Sequence, residues 1–214
     1  MRKLLILLAV IAIAAVAYHY RGMWTSLNAS TAAALSMPDA SPTPVPDYAS
    51  QPYALRLWGR VKPDSMTLRR QVVFVNGDRW RLESKDSDSS KITVAVCDGT
   101  RVVGNAAASR DPRPMIREIF AASKQLRDDA AQGAPTDACD GHDCLKGNAD
   151  IDGIDAQLWV DAGSGFPVFF VNLGGGKFAD EHFERIPINF ADPATAEYFD
   201  VKHTESILEQ YLNP

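Results

Sequence analysis

From Tyr53 onward, apolar and polar residues alternate along much of the chain. Tyr53, Leu55, Leu57 and Val61 fall on one side of an extended segment, with Arg56 and Arg60 on the other; this is the period of a strand with one dry and one wet face. Pro63-Asp64-Ser65 turns the chain, and Leu68 to Val75 resumes an extended run rich in Val and Phe. Asn76-Gly77 predicts a hairpin turn, after which Trp80 and Leu82 oppose Arg79, Arg81 and Glu83. Beyond a polar turn, Ile92, Val94 and Val96 share a face of the next strand, and Asp98-Gly99 turns it into Arg101-Val102-Val103.

The period then changes. After Pro112 and Pro114, the apolar residues Met115, Ile116, Ile119, Phe120 and Leu126 recur at helical spacing, with Arg117, Glu118, Lys124, Arg127 and Asp128 opposite; this predicts one amphipathic helix ending near Gly133. A Gly- and Asp-rich loop follows at Ala138 to Cys144. Ala149 to Asp161 is expected as one extended run, Val168 to Leu173 and Phe178 to Ile188 as the next two, and Tyr198 to Val201 as a short last strand. Glu205 to Leu212 is expected as a final short helix. Strands in hairpin order with one inserted helix and no βαβ alternation predict an α+β fold, mainly antiparallel β, in which the sheet curls over the helix.

Ahead of this body, Met1-Arg2-Lys3 precedes an uncharged apolar run from Leu4 to Ala17, the pattern of an export signal. Ala15-Val16-Ala17 fits a small-x-small cleavage site, whereas Tyr18, Tyr20 and Trp24 suit the aromatic belt of a retained membrane anchor. Both readings export the rest of the chain, and Arg2 and Lys3 favour the N-terminus inside. No Cys follows the apolar run, so no lipoprotein acyl group can be attached there. Ser26 to Gln51 turns to Ala, Ser, Thr and Pro, a tether with little to bury. The expected layout is a signal peptide or anchor at 1–21, a tether at 22–52, a folded domain at 53–204 and a C-terminal tail at 205–214. The expected location is the periplasm, with the body tethered to the inner membrane by a single N-terminal helix.

The net charge of −5 comes from interspersed charges, with no basic face, which argues against a nucleic-acid partner. There are 3 cysteines. In an oxidising compartment Cys139 and Cys144, in one flexible loop, are the expected disulfide, leaving Cys97 as a buried strand thiol. The same loop, Cys139-Asp140-Gly141-His142-Asp143-Cys144, holds zinc-compatible residue types, but no second ligand pair has matching spacing, so no metal is expected. Gly174-Gly175-Gly176-Lys177 lacks the first glycine and the Ser or Thr of a phosphate loop and reads as a turn. Ser164 between Gly163 and Gly165 lacks the flanking residues of a nucleophile elbow. No catalytic residue and no cofactor is expected.

Several landmarks occur in order: Arg79-Trp80-Arg81-Leu82-Glu83, the Cys97-Asp98-Gly99-Thr100 turn, Gln157-Leu158-Trp159-Val160-Asp161, Gly165-Phe166-Pro167-Val168 and Phe183-Glu184-Arg185-Ile186. In this order, behind an export signal, the segment from Leu55 to Val201 resembles the LolA/LolB-like superfamily of periplasmic lipid and lipoprotein carriers. The resemblance implies a curled half-barrel sheet with a helix, here Met115 to Leu126, covering an apolar concave face that holds acyl chains. The candidates for lining such a cavity are Trp58, Val73, Val75, Trp80, Leu82, Val94, Val96, Ile116, Ile119, Phe120, Trp159, Phe169 and Phe183. Strand aromatics equally serve as plain core. The chain departs from the carriers where their helix before the first strand is replaced by the Pro-rich tether. The expected function is therefore an extracytoplasmic binding protein for a hydrophobic ligand, a lipid or an acylated protein. The alternative is a non-catalytic envelope interaction or regulatory domain whose sheet is filled by its own side chains.

Overall fold

The structure is a computed structural model that describes residues 46–62, 65–105, 111–130, 133–174 and 180–212. The expected signal or anchor and most of the tether lie outside these residues. Among them, no helix is long and apolar enough to cross a membrane.

Ten strands form one open antiparallel sheet: β1 (Tyr53–Arg60), β2 (Leu68–Asn76), β3 (Arg79–Asp86), β4 (Thr93–Cys97), β5 (Val102–Gly104), β6 (Asp137–Cys139), β7 (His142–Ile151), β8 (Ile154–Asp161), β9 (Pro167–Asn172) and β10 (Asp180–Arg185). Their order across the sheet is β5-β4-β3-β2-β1-β10-β9-β8-β7-β6. One meander runs outward from the centre and a second runs inward from the far edge. They meet where β1 pairs with β10, Leu55 opposite Arg185 and Trp58 opposite His182. The longest helix among the described residues, α1 (Arg113–Asp129), connects one edge of the sheet to the other.

Turn chemistry explains where the strands stop. Asp140-Gly141 and Asp152-Gly153 both have positive φ at each residue, the geometry of the two-residue turn that matches strand twist and that Asp-Gly adopts readily. These two turns correct two expectations. The cysteine segment is a hairpin, β6 to β7, rather than a loop, and the long run to Asp161 is broken at Asp152 into β7 and β8. The polar residues from His142 to Asp150 hide a strand because little of that face is apolar. The expected strand at Tyr198 to Val201 is also corrected: Pro193–Ala196 (α2) and a 3-10 turn at Glu197–Phe199 occupy this region. Asp192 caps α2 by accepting from the Ala194 amide, with Pro at the first turn, a combination that starts a helix.

Alternation divides the sheet into two faces. On the inner face, Leu55, Leu57, Val73, Val75, Trp80, Leu158, Phe170 and Phe183 pack in one cluster with Ile116, Ile119 and Phe120 of α1. Each of the three helix residues contributes roughly 1.5–3 kcal/mol by leaving water. At Gly147 of β7, an added Cβ would lie 2.5 Å from Leu126 Cδ1, so the α1 side chain packs directly on the strand backbone at this glycine.

On the outer face, Ala54, Val72 and Phe74 are covered by Ile186, Phe199 and Leu208. The segment read as a tail is thus part of the domain, ending in α3 (Leu208–Leu212), and Leu208 is fully buried. At the other end, the Tyr48 ring packs on Phe120 and Phe166 at 5.7 and 5.4 Å, so the folded body begins before Tyr53. This cover also corrects the wet face expected for Arg81 and Glu83, which are 1% and 0% exposed.

Candidate binding surfaces

The cavity candidates divide between the two faces. Val73, Val75, Trp80, Ile116, Ile119, Phe120 and Phe183 belong to the inner cluster, with Leu82 partly buried against it. Trp80 pairs with Cys97 and Leu82 with Ala95, which turns Val94 and Val96 to the outer face beside Glu83 and Arg81. Trp58, Trp159 and Phe169 also face outward, since their neighbours Leu57, Leu158 and Phe170 are in the inner cluster. Within the sheet–helix layer, Tyr53 meets Phe120 edge-on at 5.4 Å. The Tyr53 hydroxyl and Ser123 Oγ are buried without a hydrogen-bond partner among the described residues, and burial pushes the Tyr53 phenol well above its ordinary range.

The outward aromatics are brought together by strand register. Trp58 pairs with His182, His182 with Phe169 and Phe169 with Trp159. Ring centroids are 5.2 Å apart for Trp58 and His182, with planes 5° from parallel, 4.4 Å for His182 and Phe169, and 5.1 Å for Phe169 and Trp159. The row ends in cations: Lys146 Nζ lies 4.7 Å over the Trp159 ring, while Arg70 pairs with Trp58 and Lys85 with Arg70. Seven adjacent strands therefore carry Lys85, Arg70, Trp58, His182, Phe169, Trp159 and Lys146 side by side, a line about 29 Å long at the usual strand spacing. Trp58 and His182 lie parallel, and the other two pairs are tilted by 36° and 48°, so each ring packs against its neighbour along the row.

Beside Trp58, a groove of about 260 Å³ is lined by Arg56, Leu57, Trp58, Arg70 and Glu184. Arg56 is paired with Glu184 at 3.1 Å, yet its Nε is buried without a hydrogen-bond partner among the described residues.

The cysteine hairpin leans on the same face. His182 Nδ1 lies 2.5 Å from Asp140 Oδ2, and His142 Nδ1 lies 3.0 Å from Asp161 Oδ2. Burial opposes ionisation of Asp161, but hydrogen bonds from Ser164 and His142 outweigh it and hold the carboxyl below its usual range. Ser164 Oγ donates to Asp161 at 2.6 Å. The hydroxyl is thus turned to the carboxylate rather than to the imidazole, which makes this group a brace for the β8–β9 turn.

Cys139 and Cys144 sit diagonally on the hairpin, since Cys139 pairs with His142 and Asp137 with Cys144. Both carry free thiols here, as does buried Cys97. Cys144 Sγ approaches the Cys139 carbonyl at 3.9 Å, and burial pushes its thiol up to about 12. Among the described residues, no group of three His, Cys, Asp or Glu is arranged to hold a metal ion.

Sequence reading picked out Trp58, Phe169 and Trp159 singly but not Arg70, Lys146 and His182 as members of one row. Each lies on a polar face of its own strand, and only the pairing register makes them neighbours. Neither protein-family models, nor curated proteins, nor solved structures provide a match to the chain.

Proposed function

We propose that the chain is a non-catalytic interaction domain of the bacterial envelope, whose inner sheet face is filled by its own side chains and whose outer face makes the contact. In this reading α1 is a built-in lid on the concave side of a curled half-barrel. The observation that carries it is the inner cluster: Val73, Val75, Trp80, Ile116, Ile119, Phe120 and Phe183 pack together, each no more than 5% exposed. Space that a carrier would give to an acyl chain is taken up by Trp80 and by the α1 residues. The export signal in the sequence supports the envelope location.

A second reading, a binding protein for a lipid or an acylated protein held between sheet and helix, is favoured by Tyr53 and Ser123. Their unpartnered buried hydroxyls would suit the polar end of an acyl chain. Native mass spectrometry and a thermal scan with palmitate separate the two. The filled-core reading expects lipid-free protein and an unchanged midpoint. A co-purified acyl chain, or a midpoint that climbs with palmitate concentration, would sink it in favour of the second.

A further inference from the structure

The outer face is not evenly charged. At the corner formed by the C-terminal end of β1, the N-terminal end of β2 and the C-terminal end of β3, Arg70 is exposed and Lys85 half-exposed, and neither has an acidic partner among the described residues. Three nearby acids are paired with cations, Glu184 with Arg56, Asp180 with Arg60 and Asp86 with Arg69; Asp88 accepts from the Thr67 hydroxyl at 3.0 Å and keeps its charge. Leu68, on the same strand as Arg70, is 44% exposed, and Met66, in the turn leading into β2, is 95% exposed. Leu68 pairs with Arg60 and lies two residues from Arg70, on the same side of β2.

We propose that this corner docks on an anionic phospholipid surface, Met66 and Leu68 entering the headgroup region while Arg70 and Lys85 meet lipid phosphates and Trp58 sits at the interface. Exposed apolar residues, a tryptophan with one polar end and unpaired cations within one patch are what binding to an anionic bilayer surface requires. The far corner of the same face, where Asp150 pairs with Asp155 across β7 and β8, is acidic. The domain therefore meets the surface tilted, on the β2–β3 side. This inference rests on the reading that the outer face makes the contact.

The test uses the intact chain with vesicles of phosphatidylcholine, alone or mixed with phosphatidylglycerol, carrying brominated acyl chains that quench tryptophan at the interface. Comparison with Trp58→Phe isolates the Trp58 signal from the other tryptophans and from any attachment through the N-terminal segment. Trp58-dependent quenching should appear with phosphatidylglycerol and fade at high salt. Arg70→Gln and Lys85→Gln should each reduce it about five-fold. Met66→Asp, at a site too exposed to disturb folding, should abolish it. Equal quenching in neutral and anionic vesicles, or quenching indifferent to Arg70, Lys85 and Met66, overturns the proposal. So does absence of Trp58-dependent quenching, including the case in which a protein occupies the face. Failure here with lipid-free protein leaves the filled-core reading standing, whereas a co-purified acyl chain removes that reading irrespective of vesicle binding.

Discussion

Arg81 and Glu83, two residues apart on β3, form an ion pair at 2.6 Å that is almost wholly buried, and together they fasten the C-terminal segment to the sheet. Arg81 donates to the carbonyls of Tyr198, His203 and Glu205. Glu83 accepts from the Ser206 hydroxyl at 2.6 Å and from the amides of Ile207 and Leu208 at 3.0 and 2.8 Å. Side chains on one strand thereby satisfy both signs of backbone polarity in a segment with few ladder bonds of its own.

Removing one partner leaves the other charge buried. Glu83→Ala should cost about 3–5 kcal/mol, and hydrogen exchange should show the Ile207 and Leu208 amides losing protection before the strands do. Replacing both residues with apolar side chains of similar volume should not recover this loss, because the tail carbonyls and amides would then be left without partners. Tail amides that stay protected in Glu83→Ala would refute the latch.

Gly59 sits where β1 presses on β10: an added Cβ would lie 1.9 Å from the Asp180 carbonyl oxygen and 2.9 Å from the Glu181 Cα. Both neighbours are backbone and cannot rotate away. Gly59→Ala should therefore cost at least about 2–3 kcal/mol, read as a lower denaturation midpoint. Gly147→Ala meets only the end of the Leu126 side chain and should cost less.

Glu181 is buried, and burial pushes its carboxyl up to about 7, against the opposing pull of the Arg69 guanidinium. The unfolded chain releases this proton near its ordinary value, while the folded chain keeps it. The contribution of Glu181 to stability therefore falls as pH rises from the unfolded value to about 7. Glu181→Gln should stabilise the protein by roughly 2–3 kcal/mol above neutral pH and have little effect below the unfolded value. Urea melts across that range would show the wild-type slope flattened in the variant; equal slopes would refute the assignment.

The diagonal placement of Cys139 and Cys144 leads us to expect a bridge under oxidising conditions. In an oxidised-glutathione buffer, the tryptic peptide spanning both should become lighter by the two thiol hydrogens, with Cys97 still free. Because burial raises the Cys144 thiol, the bridge should form faster as pH increases. Mixed glutathione adducts at both sites in place of the bridge would argue against it.

The strands β1 to β4 were legible because each carries a regular dry face, and α1 because its apolar residues repeat at helical spacing after two prolines. The β6–β7 hairpin was not, since its residues are mostly polar and its stability comes from pairing with β8 rather than from its own pattern. The wet face assigned to Arg81 and Glu83 failed for a related reason. Two charges at alternate positions look solvated unless one knows that a distant segment supplies hydrogen-bond partners for both.

Sequence alone thus determined the local periods, the Asp-Gly and Asn-Gly turns, and one side of nearly every central strand, because these depend on residues a few positions apart. Tertiary structure decided the rest. It placed β1 beside β10, turned Trp58, His182, Phe169 and Trp159 into one row, packed Ile116, Ile119 and Phe120 of α1 into the inner cluster and buried Arg81 with Glu83. Each of these depends on contacts between residues far apart in the chain, whose free energy appears only when strand register and the crossover helix bring them together.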